Sequence, residues 1–307
     1  MKPNKKNSCI YILSGRHNLL EECIERLYDF YNHKYDFPVY VYYFDDIYTN
    51  SKVAKKLEHK YKIRFISQPT KIPDHINHKD LYFNKNYHYV KRSFGPERLN
   101  YLHMNDFVTN TNNKTHLNKY RFHHRIDDDT FFNKKIENNL FDVMYSNNYP
   151  MATSKFWFHY HSNARDVGMY LFDFYKNYLK NNSLIPAHIN LKKAINDNDE
   201  TAFHTLNWST GNFNLYDQNF LRDNQDWKYW ISQVNDFGGI YKHRWGDIKL
   251  IGLFLYTFHK NPCLNLDLIS DETIIHKTKK TQTITSDKFI KFMLKKLYRK
   301  IRYGYLD

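Results

Sequence analysis

A chain of 307 residues, 41% hydrophobic and 25% charged, is long enough to bury one large α/β core or two small ones. Lysine and arginine outnumber aspartate and glutamate by 46 to 32, and the resulting +14 attracts polyanions, phosphorylated small molecules or anionic membrane surfaces. Three widely spaced cysteines, Cys9, Cys23 and Cys263, argue against a disulfide scaffold and for a reducing compartment, and no zinc-finger, basic-zipper or RNP pattern supports nucleic-acid binding.

The opening MKPNKKNSCIYIL has an apolar run too short for a membrane span or a signal peptide. The expectation is a soluble protein, cytoplasmic or peripheral to a membrane. CIYILS at 9–14 reads as a strand ending at Gly15. Asn18 is placed to cap a helix whose Leu20, Ile24, Leu27 and Tyr31 recur at helical spacing, with Glu21 and Glu22 in its first turn. VYVYYF after Pro38 predicts a second strand ending at Asp45–Asp46, 51–61 a helix, and IRFIS at 63–67 a third strand. This alternation argues for a parallel sheet with crossover helices, in which ligands sit at the carboxyl ends of strands, here Gly15–Arg16 and Asp45–Asp46.

Residues 70–90 read as a loop, 98–108 as a helix and 109–118 as a polar insertion. YRFHHRIDDDTFF at 120–132 is a strand running into an acidic cluster; helices are expected at 166–181 and 190–206. The region 208–255 is dense in aromatics and holds Gly238–Gly239, which reads as a turn. Trp208, Trp245 and Tyr241 read as core in so aromatic a chain, and Ile274–Ile275 as a strand before His276. At 286–307, Phe289, Met293, Leu297 and Ile301 share one face of a basic amphipathic helix, which suits docking on the domain or contact with an anionic membrane.

Asp127-Asp128-Asp129 carries the chemistry. Adjacent carboxylates repel one another unless water solvates them or a cation sits among them, and Mg or Mn takes such hard oxygen ligands while leaving positions for phosphates. His123 and His124 beside the triplet are further candidate ligands by type. Arg16 is a candidate phosphate or base contact, and Arg244 could pair with Asp247.

Together with WSTGNFNLYDQNFLR (208–222), FGGIYKHRWGD (237–247) and ETIIHK (272–277), the HRIDDDTFF segment resembles the fungal α-1,2-mannosyltransferase family of the Kre2/Mnt1 type. That family carries Arg-x-Glu-Pro-Asp, Trp-Ser-Asn-Phe-Glu-Ile, Gly-Gly-Phe-x-x-x-Arg-Trp-Gly-Asp and a late His. The resemblance covers most of residues 9–280. It implies an α/β chain of GT-A type, a Rossmann-like fold with a mixed central sheet flanked by helices. The catalytic domain would span 1–285, with a nucleotide-binding part to about residue 130 and an acceptor part after it.

The resemblance implies metal ligands at Asp127, Asp129 and His276, for Mn or Mg. Arg16, Asp45, Tyr101 and Asp128 fall in segments that would bind the nucleotide, and Asp247 would orient the acceptor hydroxyl. His123 and His124 receive no metal role. The implied activity is retaining transfer of mannose from GDP-mannose to a hydroxyl of a glycan. Asn214 departs from the pattern, standing where the family has the Glu proposed as nucleophile. A carboxamide does not readily form a glycosyl ester. The expectation is therefore front-face attack, with the Asn214 dipole steadying the sugar. The alternatives are a UDP-sugar donor, or a nucleotide- or glycan-binding protein without turnover.

Overall fold

The computed structural model describes residues 1–44, 48–82, 99–110, 116–157, 168–266 and 273–276. Met1–His276 form one compact unit and Lys277–Asp307 a second. The helix expected at 286–307 lies in the second, outside the described residues, as does Asp45 in the first.

The first unit is organised on a seven-stranded sheet. Its strands are β1 (Ser8–Ser14), β2 (Val39–Tyr43), β3 (Arg64–Ser67), β4 (Phe122–Asp127), β6 (Met151–Thr153), β9 (Phe213–Asp217) and β10 (Cys263–Asn265), in the spatial order β10-β6-β9-β4-β1-β2-β3. β4, β1, β2 and β3 run parallel; β9 is antiparallel to both β4 and β6, and β10 is parallel to β6. Two small ribbons flank it: β5 (Thr130–Phe132) with β11 (Ile274–His276), and β7 (Phe156–Trp157) with β8 (Trp208–Ser209). The result is the mixed central sheet expected of a GT-A type fold.

Every residue of β1 is buried, which is why CIYIL is apolar without alternation. Cys9, Tyr11 and Leu13 pack into one core and Ile10 and Ile12 into the other, on opposite sheet faces. The second core is closed by α1 (His17–Leu27) and α2 (Lys52–Tyr61), where Leu20, Cys23, Ile24, Leu27, Ala54 and Leu57 are buried. α3 (Leu99–Thr109) lies on the first core. So do α5 (Leu171–Asn181), α6 (Ile189–Asn196), α7 (Glu200–His204), α8 (Gln225–Phe237), α9 (Gly239–His243) and α10 (Asp247–Phe258), whereas α4 (Leu140–Ser146) lies on the second.

Several boundaries differ from expectation. α1 begins at His17 with Arg16 as its N-cap, so Asn18 is already helical and no acid lies in the first turn. The helix expected over 190–206 is two helices, α6 and α7, separated by Asn198 in the left-handed region at φ 52°. The helix expected from 166 begins at Leu171, with 158–167 outside the described residues. Gly238 does turn the chain, at φ 77°, between α8 and α9. Gly239 is required for another reason: a Cβ there would lie 1.9 Å from the Trp245 ring. Trp208, Trp245 and Tyr241 are core residues, at most 3% exposed.

Candidate active site

β1 and β4 end side by side. Leu13 is in register with Asp127, the Asp128 N–H donates to the Leu13 carbonyl at 3.2 Å, and the Asp127 N–H donates to the Asn212 carbonyl at 3.1 Å. The acidic triplet is thereby fixed where the chain leaves the sheet. From below, the buried Cys23 thiol donates to the Thr130 carbonyl at 3.3 Å, tying α1 to the segment after the triplet.

The three acids have different surroundings. Asp128 is fully buried, and one of its oxygens accepts from the Gly15 N–H at 2.8 Å, the Arg16 N–H at 2.7 Å and the Ser14 hydroxyl at 3.0 Å. Its other oxygen accepts from Arg16 Nε at 2.6 Å. Asp129, 2% exposed, pairs with a terminal nitrogen of the same guanidinium. Asp127 keeps 20% of its side chain exposed and lies 3.3 Å from the Arg125 guanidinium. Burial, with help from the charges of Asp129 and Asp128, pushes its carboxyl up to about 6 against the pull of Arg125 and Arg16.

Part of the repulsion expected within the triplet is therefore relieved by side chains. Arg16 sits between Asp128 and Asp129, and Arg125 is shared between Asp127 and Asp247, with which it forms a buried ion pair. Among the described residues, four carboxylates face two guanidiniums, an excess of two negative charges that is the complement of one divalent cation. Arg125 had no assigned role from sequence, although it opens the Arg-x-Glu-Pro-Asp-like segment. An arginine in a strand with every neighbour buried was the available signal.

The remaining candidates divide. Asn214 lies opposite Arg125 across β4–β9, is fully buried, and donates its amide to the Thr210 carbonyl at 2.6 Å; its Oδ1 has no partner among the described residues. The Arg244–Asp247 pair considered from sequence does not form. Asp247 opens α10 against Arg125, while Arg244, at φ 55°, lies over the Tyr101 ring with its guanidinium carbon 4.8 Å from the centroid. At 3% exposure Asp247 is enclosed in this pair. His276 is in register with Thr130, so its backbone runs beside the triplet; its side chain lies outside the described residues.

His123 and His124 do not join the triplet. His123 Nε2 is 3.2 Å from the Leu117 and Tyr120 carbonyls, and His124 is buried among Phe213, Phe141 and Tyr31. Among the described residues, no three His, Cys, Asp or Glu side chains stand together as a metal set, so an Asp127–Asp129–His276 set rests on the β5–β11 register.

With the acids gathered where the parallel strands β1 and β4 end, comparison with known proteins identifies the chain as a glycosyltransferase. The family model of glycolipid 2-alpha-mannosyltransferases matches residues 1–265, and the chain belongs to that family. The fold is similar to that of the mannosyltransferase Ktr4p from S. cerevisiae, with a TM-score of 0.66 and 19% identity over 87% of this chain and 74% of that one. The Mn/GDP form of core-mannan synthase A (CmsA/Ktr4) from Aspergillus fumigatus gives a TM-score of 0.65 and 17% identity over 84% and 72%. The S. cerevisiae enzyme in complex with GDP gives 0.64 and 18% over 87% and 74%. No curated protein sequence matches the chain. Among the described residues, no helix is long and apolar enough to cross a membrane.

Proposed function

We propose that this protein is a metal-dependent, retaining mannosyltransferase that moves mannose from GDP-mannose to a hydroxyl of a glycan acceptor. Family membership and the Mn- and GDP-bound forms of similar enzymes support the donor and the metal. The observation that carries the reading is the gathering of Asp127, Asp128, Asp129 and Asp247 around two arginines at the end of β4, an excess of two carboxylates among the described residues. The donor set also fits: hard oxygens at Asp127 and Asp129, and an imidazole at His276 on the strand paired with β5. A bound cation would neutralise the charge that develops on the leaving diphosphate.

The chain's own residues have separable tasks. Asp127, the most accessible acid, binds the cation directly, and Asp129 supports it while sharing Arg16. Arg16, Asp45 and Tyr101 border the nucleotide. Asp247 acts through Arg125, holding the guanidinium that orients Asp127, and in this way serves the crevice that receives the acceptor. Asn214 cannot form a glycosyl ester, so retention proceeds by attack on the face the diphosphate leaves, with a donor phosphate oxygen taking the proton. Its buried Oδ1, without a partner among the described residues, acts on the sugar at a distance as a dipole, not as a nucleophile.

The deciding experiment titrates GDP and UDP with and without Mn, then follows sugar transfer and the anomeric configuration of the product. The reading expects Mn-dependent preference for GDP, retained configuration, and loss of metal-dependent binding in Asp127→Asn. Equal binding of GDP in EDTA would overturn the metal's role. The buried carboxamide at 214 favours one second reading, a binding protein without turnover, and Mn-dependent GDP binding without any transfer or donor hydrolysis would establish it.

A further inference from the structure

We infer that Asp128 is a positioning residue for the donor: its carboxylate fills the anion-binding turn between β1 and α1 and thereby fixes Arg16 toward the donor's diphosphate. The inference rests on the reading that this crevice binds a nucleoside diphosphate sugar. The turn from β1 into α1 presents successive backbone N–H groups at a helix N-terminus, an arrangement that attracts an oxyanion. Here the oxyanion is internal. One Asp128 oxygen takes the Gly15 and Arg16 N–H groups at 2.8 and 2.7 Å and the Ser14 hydroxyl at 3.0 Å. A phosphate from the donor has no access to those amides while the carboxylate holds them.

The same carboxylate sets the direction of Arg16. Its second oxygen takes Arg16 Nε, and Asp129 takes one terminal nitrogen, which leaves the other terminal nitrogen without a hydrogen-bond partner among the described residues. The Arg16 side chain is 43% exposed, whereas Asp128 is fully buried. Asp128 therefore cannot touch the donor and acts through Arg16. A guanidinium already clamped on two carboxylates loses little freedom when it meets a diphosphate, so binding is not offset by ordering a long side chain. Asp128 stands where the Arg-x-Glu-Pro-Asp pattern has Pro, and Pro can neither accept from the turn nor pair with arginine.

A double-mutant cycle tests this, with GDP and inorganic pyrophosphate as probes in the presence of Mn, on the full chain. Asp128→Asn is expected to weaken both ligands about tenfold, the scale of a lost charge-assisted hydrogen bond, and to leave kcat at saturating donor within about twofold. Arg16→Ala is expected to weaken them at least as much, with the double variant no worse than Arg16→Ala alone. Losses that add in the double variant would sink the inference. So would an Asp128→Asn protein that melts earlier but binds both probes like wild type, because that is a purely structural latch. If Asp128→Asn does not fold, Asp128→Glu is judged by the same cycle. A wild type that binds pyrophosphate but transfers no sugar overturns the proposed function while leaving the cycle decisive. Failure of wild type to bind GDP, UDP or pyrophosphate overturns both.

Discussion

Asp127, Asp128 and Asp129 are adjacent in the chain, yet their counter-ions come from different elements, from β4 2 residues away for Asp127 and from the N-cap of α1 112 residues away for Asp128. Adjacency alone is a weak signal for a cation, since acidic triplets are common in solvated turns; the family-like segments around it raise that expectation. Adjacency cannot reveal that arginines supply part of the positive charge, because Arg16 is brought to Asp128 only by the β1–β4 register. Arg244 shows the converse error. It is three residues from Asp247, but its left-handed backbone leads the side chain to Tyr101 instead. At this scale His124 yields a pH prediction. Burial alone holds its pKa down to about 3, so the native state favours the neutral ring. A folded pKa below the unfolded value of about 6.5 means this stability is present above pH 6.5 and is lost as the pH falls toward 3. His124→Phe is expected to gain about 2 kcal/mol relative to wild type between pH 7 and pH 5, measured by urea unfolding. An unchanged difference at the two pH values would count against a buried neutral histidine.

The elements themselves were largely readable, since β1, β2, β3 and the helices between them follow from apolar runs and helical spacing. Their ends were less so. Arg16 caps α1 without a side-chain bond because Asp128 has taken the turn's amides, a remote solution that no local capping rule anticipates. Two predictions belong here. Gly239→Ala forces a methyl against the Trp245 ring and is expected to destabilise by about 1–3 kcal/mol, read as a lower melting temperature. Asp247→Ala removes the buried partner that the start of α10 gives the Arg125 guanidinium and leaves it only Asp127 at 3.3 Å, with an expected cost of about 3 kcal/mol. Arg125→Met with Asp247→Leu is expected to recover most of that stability while transfer stays lost. A double variant that recovers no stability would mean that the pair stabilises the fold by more than mutual neutralisation.

For the whole molecule, strand-helix alternation up to residue 67 predicts the parallel half of the sheet, and the motifs after residue 208 carry the family resemblance. What sequence periodicity did not provide is the insertion of β9 between β4 and β6, antiparallel to both. That insertion puts Asn214 across from Arg125, so pairing set by tertiary structure completes the site. If the crevice binds a metal–nucleotide pair only when folded, Mn with GDP at about 100 times Kd should add about 2.7 kcal/mol to stability. GDP with EDTA should add far less. The comparison needs only thermal melts, and equal shifts in both would argue against the cation.

The β5–β11 ribbon has a consequence for biosynthesis. Thr130 emerges from the ribosome long before its partner His276 is translated, so the growing chain carries an unpaired β5 edge, and only one side of the proposed cation site, through much of its synthesis. On the proposed metal set, nascent chains stalled before residue 274 would be inert toward donor even with their parallel strands already paired.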